Sequence, residues 1–305
     1  MDIYKCTKGG EIMKIGLFVT GHFRNAPKIH ENYAQFLDGH DTSVYVGTWS
    51  NKDICRYTHN IDFTPVNVVE KAEDAFGSSL RKMWIGDMAM FMNNEHPAKN
   101  CPLRILWNDH IKAENDPLRS HYPNPQRSLD QWYGVLQTYL LAEDDYDNFD
   151  VVIRIRADQL FLGKPPIPFN DIANGIHVNG YTWWHNPEDR ENGTLIDSSN
   201  IVPYGLSDQL AWGKPYWMRK YFEYYLNFAR LWAGKLSVHA GSPQEEFKMP
   251  NSFLYNTEHM MAYYLLKYPY YNSNVDGLYD MPWHRHGHDD NPNNRFDSDY
   301  YFWGT

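Results

Sequence analysis

Residues 149–161, Phe-Asp-Val-Val-Ile-Arg-Ile-Arg-Ala-Asp-Gln-Leu-Phe, constrain the fold more than any other stretch of the chain. The run Val151–Ile155 reads as a buried strand, yet Arg154, Arg156 and Asp158 occupy alternate positions in it or just beyond it. Period two puts those three on one face. An apolar strand is an unfavourable place for charge, because an ionised group taken from water costs on the order of several kcal/mol unless it is paired. At the point where a strand runs out, the same residues face a cleft, and in open α/β sheets that is where ligands bind. Guanidinium forks beside a carboxylate suit a phosphate-bearing ligand, with or without a metal. The competing role is an Arg–Asp pair that braces a sheet edge.

The surrounding pattern is that of an α/β chain. Lys14–Thr20 reads as a first strand, a Gly-containing loop follows at Gly21–Asn25, and a helix is predicted over 27–38. A second strand covers Thr42–Gly47 and ends at Thr48-Trp49. This order opens a parallel sheet. Residues 66–93 carry helical spacing (Val69, Ala72, Phe76, Leu80, Met83, Trp84), so 51–126 is expected as an irregular insertion with helices. The spacing of Ser128 and Gln131 fits a capping box, and Trp132, Val135, Leu136, Tyr139 and Leu140 make one apolar stripe. They predict a helix over 128–145. Further elements are a strand at Ile176–Val178, a helix over 215–232 with Pro215 at its start and Gly234 past its end, and a helix over about 257–267. Short strands and loops are expected after Asn272.

At 305 residues the chain is long enough for one large α/β domain or two small ones. It shows no internal repeat and no linker. A single domain over 13–305 is therefore expected, after a polar leader at 1–12, with Met13 an alternative start. A net charge of -10, with no run of Lys and Arg, disfavours binding to duplex nucleic acid. Aromatic residues at 16% suit core packing and also stacking on sugar rings or bases. Cys6, Cys55 and Cys101 form neither a disulfide framework nor a zinc spacing, which points to a reducing compartment. No apolar run approaches the roughly 18 residues of a membrane span, and Ile15–Thr20 is too short for a signal sequence. The expected location is cytoplasmic. Oligomeric state is not legible.

Four other constellations carry candidate chemistry. Gly21 lets the backbone approach a ligand closely, and Arg24 can fork onto a phosphate or a base. Ser207-Asp208-Gln209, just before Leu-Ala-Trp-Gly, suggests a carboxylate at the lip of a cleft, suited to proton removal from a hydroxyl; the alternative is a loop-bracing Asp. In an extended segment His284, His286 and His288 project to one side and suit a divalent metal, although surface histidines also cluster without a ligand. Glu258 opens a helix, where first-turn electrostatics explains it better than catalysis.

Taken in order, these stretches resemble the GT-A-type glycosyltransferases of bacterial surface-polysaccharide clusters and large viruses or phages. The resemblance runs through Gly21 and Arg24, Thr48-Trp49, Gln131 with Tyr133, the Arg-x-Arg-x-Asp run at 154–158, Ser207-Asp208-Gln209 with Gly213, and the helix opened by Glu258. It implies a Rossmann-like, mostly parallel central sheet flanked by helices. Residues 13–160 would form the nucleotide-sugar-binding half and 161–305 the acceptor-binding half. Gly21 and Arg24 would meet the nucleotide, and Arg154, Arg156 and Asp158 its diphosphate. Asp208 would sit towards the acceptor, as base or as sugar-binding carboxylate. Where many such enzymes carry Asp-x-Asp, the first position here is Arg156. A guanidinium can neutralise the diphosphate directly, so both a Mn²⁺ or Mg²⁺ ion held by Asp158 with His286 or His288 and a metal-independent reaction stay open. The implied partners are a nucleotide-diphospho-sugar donor and a carbohydrate acceptor. Two rivals remain: a phage-type enzyme acting on a modified base in DNA, with a groove built from Arg81, Lys82, Lys112 and Arg119, and a non-catalytic nucleotide-sugar or glycan-binding protein.

Overall fold

The computed structural model describes residues 12–21, 39–49, 65–87, 125–157, 159–161, 174–178, 194–195, 208–227, 261–262, 264–272 and 278–280. The strand β4 (Val151–Arg156) lies inside the sheet, between β1 (Lys14–Thr20) and β8 (Leu210–Gly213). Residues 151–155 are buried on both faces, which is what an apolar run without alternation requires. Beyond β1 lie β2 (Asp41–Trp49) and the edge strand β3 (Leu80–Gly86). Beyond β8 come β6 (Ile176–Val178), β9 (Tyr270–Asn272) and β7 (Thr194–Leu195).

The resulting eight-stranded order is β3-β2-β1-β4-β8-β6-β9-β7. The pairs β3–β2, β2–β1, β1–β4 and β6–β9 are parallel, whereas β8 and β7 run against the other strands. A separate antiparallel pair joins β5 (Gln159–Phe161) to β10 (Leu278–Asp280). The fold is mixed α/β with a mostly parallel sheet, and its first half has the 3-2-1-4 order of doubly wound folds.

Helices cover both faces. α1 (Pro65–Phe76) packs Val68, Ala72, Ala75 and Phe76 onto the face of Ile15, Leu17, Val44, Val46, Val151 and Ile153. α2 (Pro125–Leu140) and α3 (Pro215–Phe222) cover the opposite face, where Phe18, Tyr45 and Val152 meet Trp132, Val135, Met218, Tyr221 and Phe222. Alternation along each strand divides the two cores. Gly47 permits the close approach of α2: a Cβ there would collide with the Thr138 hydroxyl and lie 3.3 Å from the Gly134 carbonyl. Among the described residues no helix is long and apolar enough to cross a membrane.

Several strand predictions coincide with the structure, and three helix predictions are corrected. The helical pattern over 66–93 ends at Phe76; a 3-10 turn at Gly77–Ser79 then leads into β3. The register of β3 against β2 shifts between Val44 and Tyr45, which pair with Leu80 and Lys82 and leave Arg81 as an extra residue. That bulge puts Leu80 and Met83 on one face, both packed against the α1 side of the core. Their three-residue spacing therefore imitates a helix. The second correction concerns α2, which starts at Pro125 rather than after Ser128 and gives way to turns after Leu140. A proline opens a helix at no cost, since its missing N–H belongs to the unbonded first turn. In the third, α3 closes at Phe222 and helical residues resume over 224–227. The helix expected over 27–38 lies outside the described residues, as do residues 88–124 of the expected insertion.

Candidate functional site at the carboxyl ends of β1 and β4

In a 3-2-1-4 sheet the chain leaves β1 towards one edge and β4 towards the other, so a crevice opens at their carboxyl ends. Thr20 and Arg156 are register partners there, and the N–H of Ala157 donates to the Thr20 carbonyl at 2.8 Å. Gly21 follows with φ +107°, in the region that favours glycine, and its N–H donates to the Gly47 carbonyl at 3.0 Å. The nearest atom to an added Cβ is 3.9 Å away, so backbone conformation rather than space selects glycine. Because β8 runs antiparallel to β4, its beginning meets the end of β4. The N–H of Arg156 donates to the Gln209 carbonyl at 3.0 Å, which places Asp208 beside Arg156.

Arg154 is fully buried on the α2 and α3 side. Its Nε donates to Thr20 Oγ1 at 2.9 Å, Nη1 reaches the Tyr221 hydroxyl at 3.5 Å, and Cζ stands 5.8 Å from the centre of the Trp132 ring. Nη2 has no hydrogen-bond partner, and among the described residues no carboxylate pairs with Arg154. Burial pushes the Tyr221 hydroxyl up to about 12; the Asp208 charge adds to the rise and Arg154 opposes it.

One turn of pleat further on, Arg156 Nη1 contacts Asp208 Oδ1 at 3.2 Å; the arginine side chain is 22% exposed and the aspartate 6%. The other carboxylate oxygen, Oδ2, accepts a hydrogen bond from Gln131 Nε2 on α2. Among the described residues, then, Arg156 has the Asp208 carboxylate and Arg154 has none. The charge of these three described groups sums to a positive value, which suits an anion. It suits a metal cation poorly: the described donors include a single carboxylate, engaged by Arg156 and Gln131. No cluster of three or more His, Cys, Asp or Glu assembles among the described residues.

The strand ends therefore gather Gly21, Arg154, Arg156 and Asp208. Arg24, Asp158, His286 and His288 lie outside the described residues, as do Ser207 and Glu258. Gln131 had a place in the sequence pattern only as a cap partner and as part of the Gln-x-Tyr resemblance; its amide serves Asp208. The Tyr133 ring centre lies 6.3 Å from that of Trp49 and 5.8 Å from that of Trp84. Thr20 and Tyr221 carry no sequence signal, because the first closes an apolar strand and the second is one of several aromatics on α3. Of the residues suggested for a basic groove, Arg81 Nε donates to the Ser43 hydroxyl and Lys82 stands 3.8 Å from Asp144; Lys112 and Arg119 lie outside the described residues. No protein-family model matches the chain, and no curated protein matches it.

Proposed function

We propose that the protein is a GT-A-type glycosyltransferase that moves a sugar from a nucleotide-diphospho-sugar to a hydroxyl of a carbohydrate acceptor. The observation that carries this reading is the cationic pair Arg154 and Arg156 at the switch point of the sheet, with one unbonded guanidinium nitrogen on Arg154. A buried arginine without a carboxylate of its own is unfavourable unless an anion completes it. In the transfer, the acceptor oxygen forms a bond to the anomeric carbon as the bond to the diphosphate breaks. The diphosphate leaves with the electron pair, and the acceptor proton passes to a base. Charge grows on the leaving diphosphate, and donors already fixed in place stabilise that charge without reorganising. Arg156, partly exposed at the strand end, is the residue that meets it; Gly21 would face the nucleotide, with Arg24. Asp158, His286 and His288 are the residues that would hold a Mn²⁺ or Mg²⁺ ion, which would supply further counter-charge to the same diphosphate.

Calorimetric titration with UDP-, GDP-, CDP- and TDP-sugars, with and without Mn²⁺, tests the reading. Wild-type protein is expected to bind at least one donor and to release its nucleoside diphosphate on incubation with water or glycan acceptors. Arg156→Ala is expected to weaken donor binding by about a hundredfold while the thermal melt stays cooperative, the loss of a charge-assisted pair of contacts. Failure of all four donor classes to bind the wild-type protein would overturn the assignment. Binding without release of nucleoside diphosphate would leave a nucleotide-sugar-binding protein instead.

A further inference from the structure

The residue types at this site allow Asp208 to be a base or a sugar-binding carboxylate, and the geometry points to a third role. We infer that Gln131 and Asp208 form a positioning pair that holds Arg156 against the diphosphate, and that Asp208 does not remove the acceptor proton. This rests on the reading of the site given above. Asp208 is 6% exposed, and both its oxygens are engaged, Oδ1 by Arg156 at 3.2 Å and Oδ2 by Gln131. A general base needs a lone pair within about 2.6–3.2 Å of the hydroxyl it deprotonates.

The three residues come from three different elements: α2, the loop entering β8, and the end of β4. The Gln131–Asp208 contact ties the helix layer to the sheet at the position where Arg156 leaves the strand. The amide is suited to this. It donates to the carboxylate without adding charge, so Arg154, Arg156 and Asp208 together stay net positive. A lysine at 131 would compete with Arg156 for the same carboxylate, and a glutamate would repel it.

The test is donor hydrolysis by Asp208→Asn, Gln131→Ala and Gln131→Glu, followed as release of nucleoside diphosphate from the sugar nucleotide that the wild-type protein binds. Donor KM, kcat and the pH profile of kcat are measured for each, with thermal melts to establish folding. Asn keeps an oxygen for Arg156, so Asp208→Asn is expected to hold kcat within about tenfold of wild type, with its acid limb unmoved and donor KM raised. Gln131→Ala is expected to raise donor KM by about tenfold at unchanged kcat, and Gln131→Glu to raise it further. A fall in kcat of about a hundredfold or more in Asp208→Asn, with donor KM unchanged and the acid limb lost, makes Asp208 the base and overturns the inference. Gln131 variants that fold and match wild type in KM also overturn it. A wild-type protein that releases no nucleoside diphosphate overturns both this inference and the function it rests on; turnover with indifferent Gln131 variants overturns the inference alone.

Discussion

Two arginines on the same side of the sheet use the same parts in different surroundings. At the carboxyl end of β4, Arg154 stands over the Trp132 ring, and its neighbour Arg156 pairs with an Asp208 that is 6% exposed. At the amino end, Arg219 of α3 stands 5.6 Å from the centre of the Tyr146 ring and contacts Asp147 at 2.6 Å, but that aspartate is 76% exposed. Each arginine that stacks on a ring leaves one buried nitrogen without a hydrogen bond, Nη2 in Arg154 and Nε in Arg219. Contact geometry therefore does not distinguish them. Access of water to the carboxylate does: at the amino end water replaces a lost partner, whereas at the carboxyl end it does not. The exposed pair is a surface contact, whereas at the carboxyl end the guanidiniums of Arg154 and Arg156 outnumber the Asp208 carboxylate among the described residues. That contrast is why the functional reading attaches to one end of the sheet only.

The largest effect that would break the comparison is on stability. Asp208→Ala removes the carboxylate that Arg156 contacts and the acceptor of the Gln131 amide. Removing one partner of a buried pair costs about 3–5 kcal/mol. The expected result is an unfolding free energy lowered by that amount, read as a lower denaturant midpoint at unchanged slope. A loss below about 1 kcal/mol would put this pair in the class of the exposed one.

A smaller effect, in alkali, sharpens the contrast. Burial pushes the Tyr221 hydroxyl at the carboxyl end up to about 12, and Tyr45 at the amino end also reaches about 12, through burial and then the charge of Asp145. An unfolded tyrosine titrates near 10. Between pH 10 and 12 the unfolded chain releases these protons while the folded chain keeps them. The unfolded state then binds fewer protons, so stability present below pH 10 falls as pH rises. For the fully buried Tyr221 the loss over that window is on the order of 2 kcal/mol. Denaturation of Tyr221→Phe at pH 9, 10 and 11 is expected to show a shallower decline than wild type. Tyr45→Phe should do the same, because burial and the Asp145 charge hold its hydroxyl up to about 12. Parallel declines in wild type and Tyr221→Phe would mean that the hydroxyl is not held neutral by the fold.

How much of this arrangement is legible in the residues depends on whether local pattern or topology creates it. β1 and β6 coincide with their predicted bounds, and β4 extends one residue further, because apolar runs bounded by turns carry their own signal. β3 does not, since the bulge at Arg81 gives a strand the spacing of a helix. Arg156 and Asp208 stand out as charges at the ends of apolar segments, yet nothing local brings them together. Their 3.2 Å contact exists because β8 inserts antiparallel beside β4, a choice made by long-range pairing. Gln131 shows the same limit: a capping box and a tertiary hydrogen bond both place an amide near the start of a helix.

The smallest expected effect comes from the exposed pair and completes the contrast. Asp147 lies in the short 3-10 turn Tyr146–Asn148 that leads towards β4, and Arg219 keeps its contact with the Tyr146 ring when the carboxylate is gone. Asp147→Asn is therefore expected to cost less than about 1 kcal/mol. Even this should shrink in 1 M salt, where the screening length falls to about 3 Å. The Asp208→Ala loss should persist there, because ions do not reach a carboxylate held between β4, β8 and α2. Denaturation of both variants at low and high salt separates the two cases. If salt erased the difference between them, the carboxyl-end arginines would be solvated charges that need no anion to complete them.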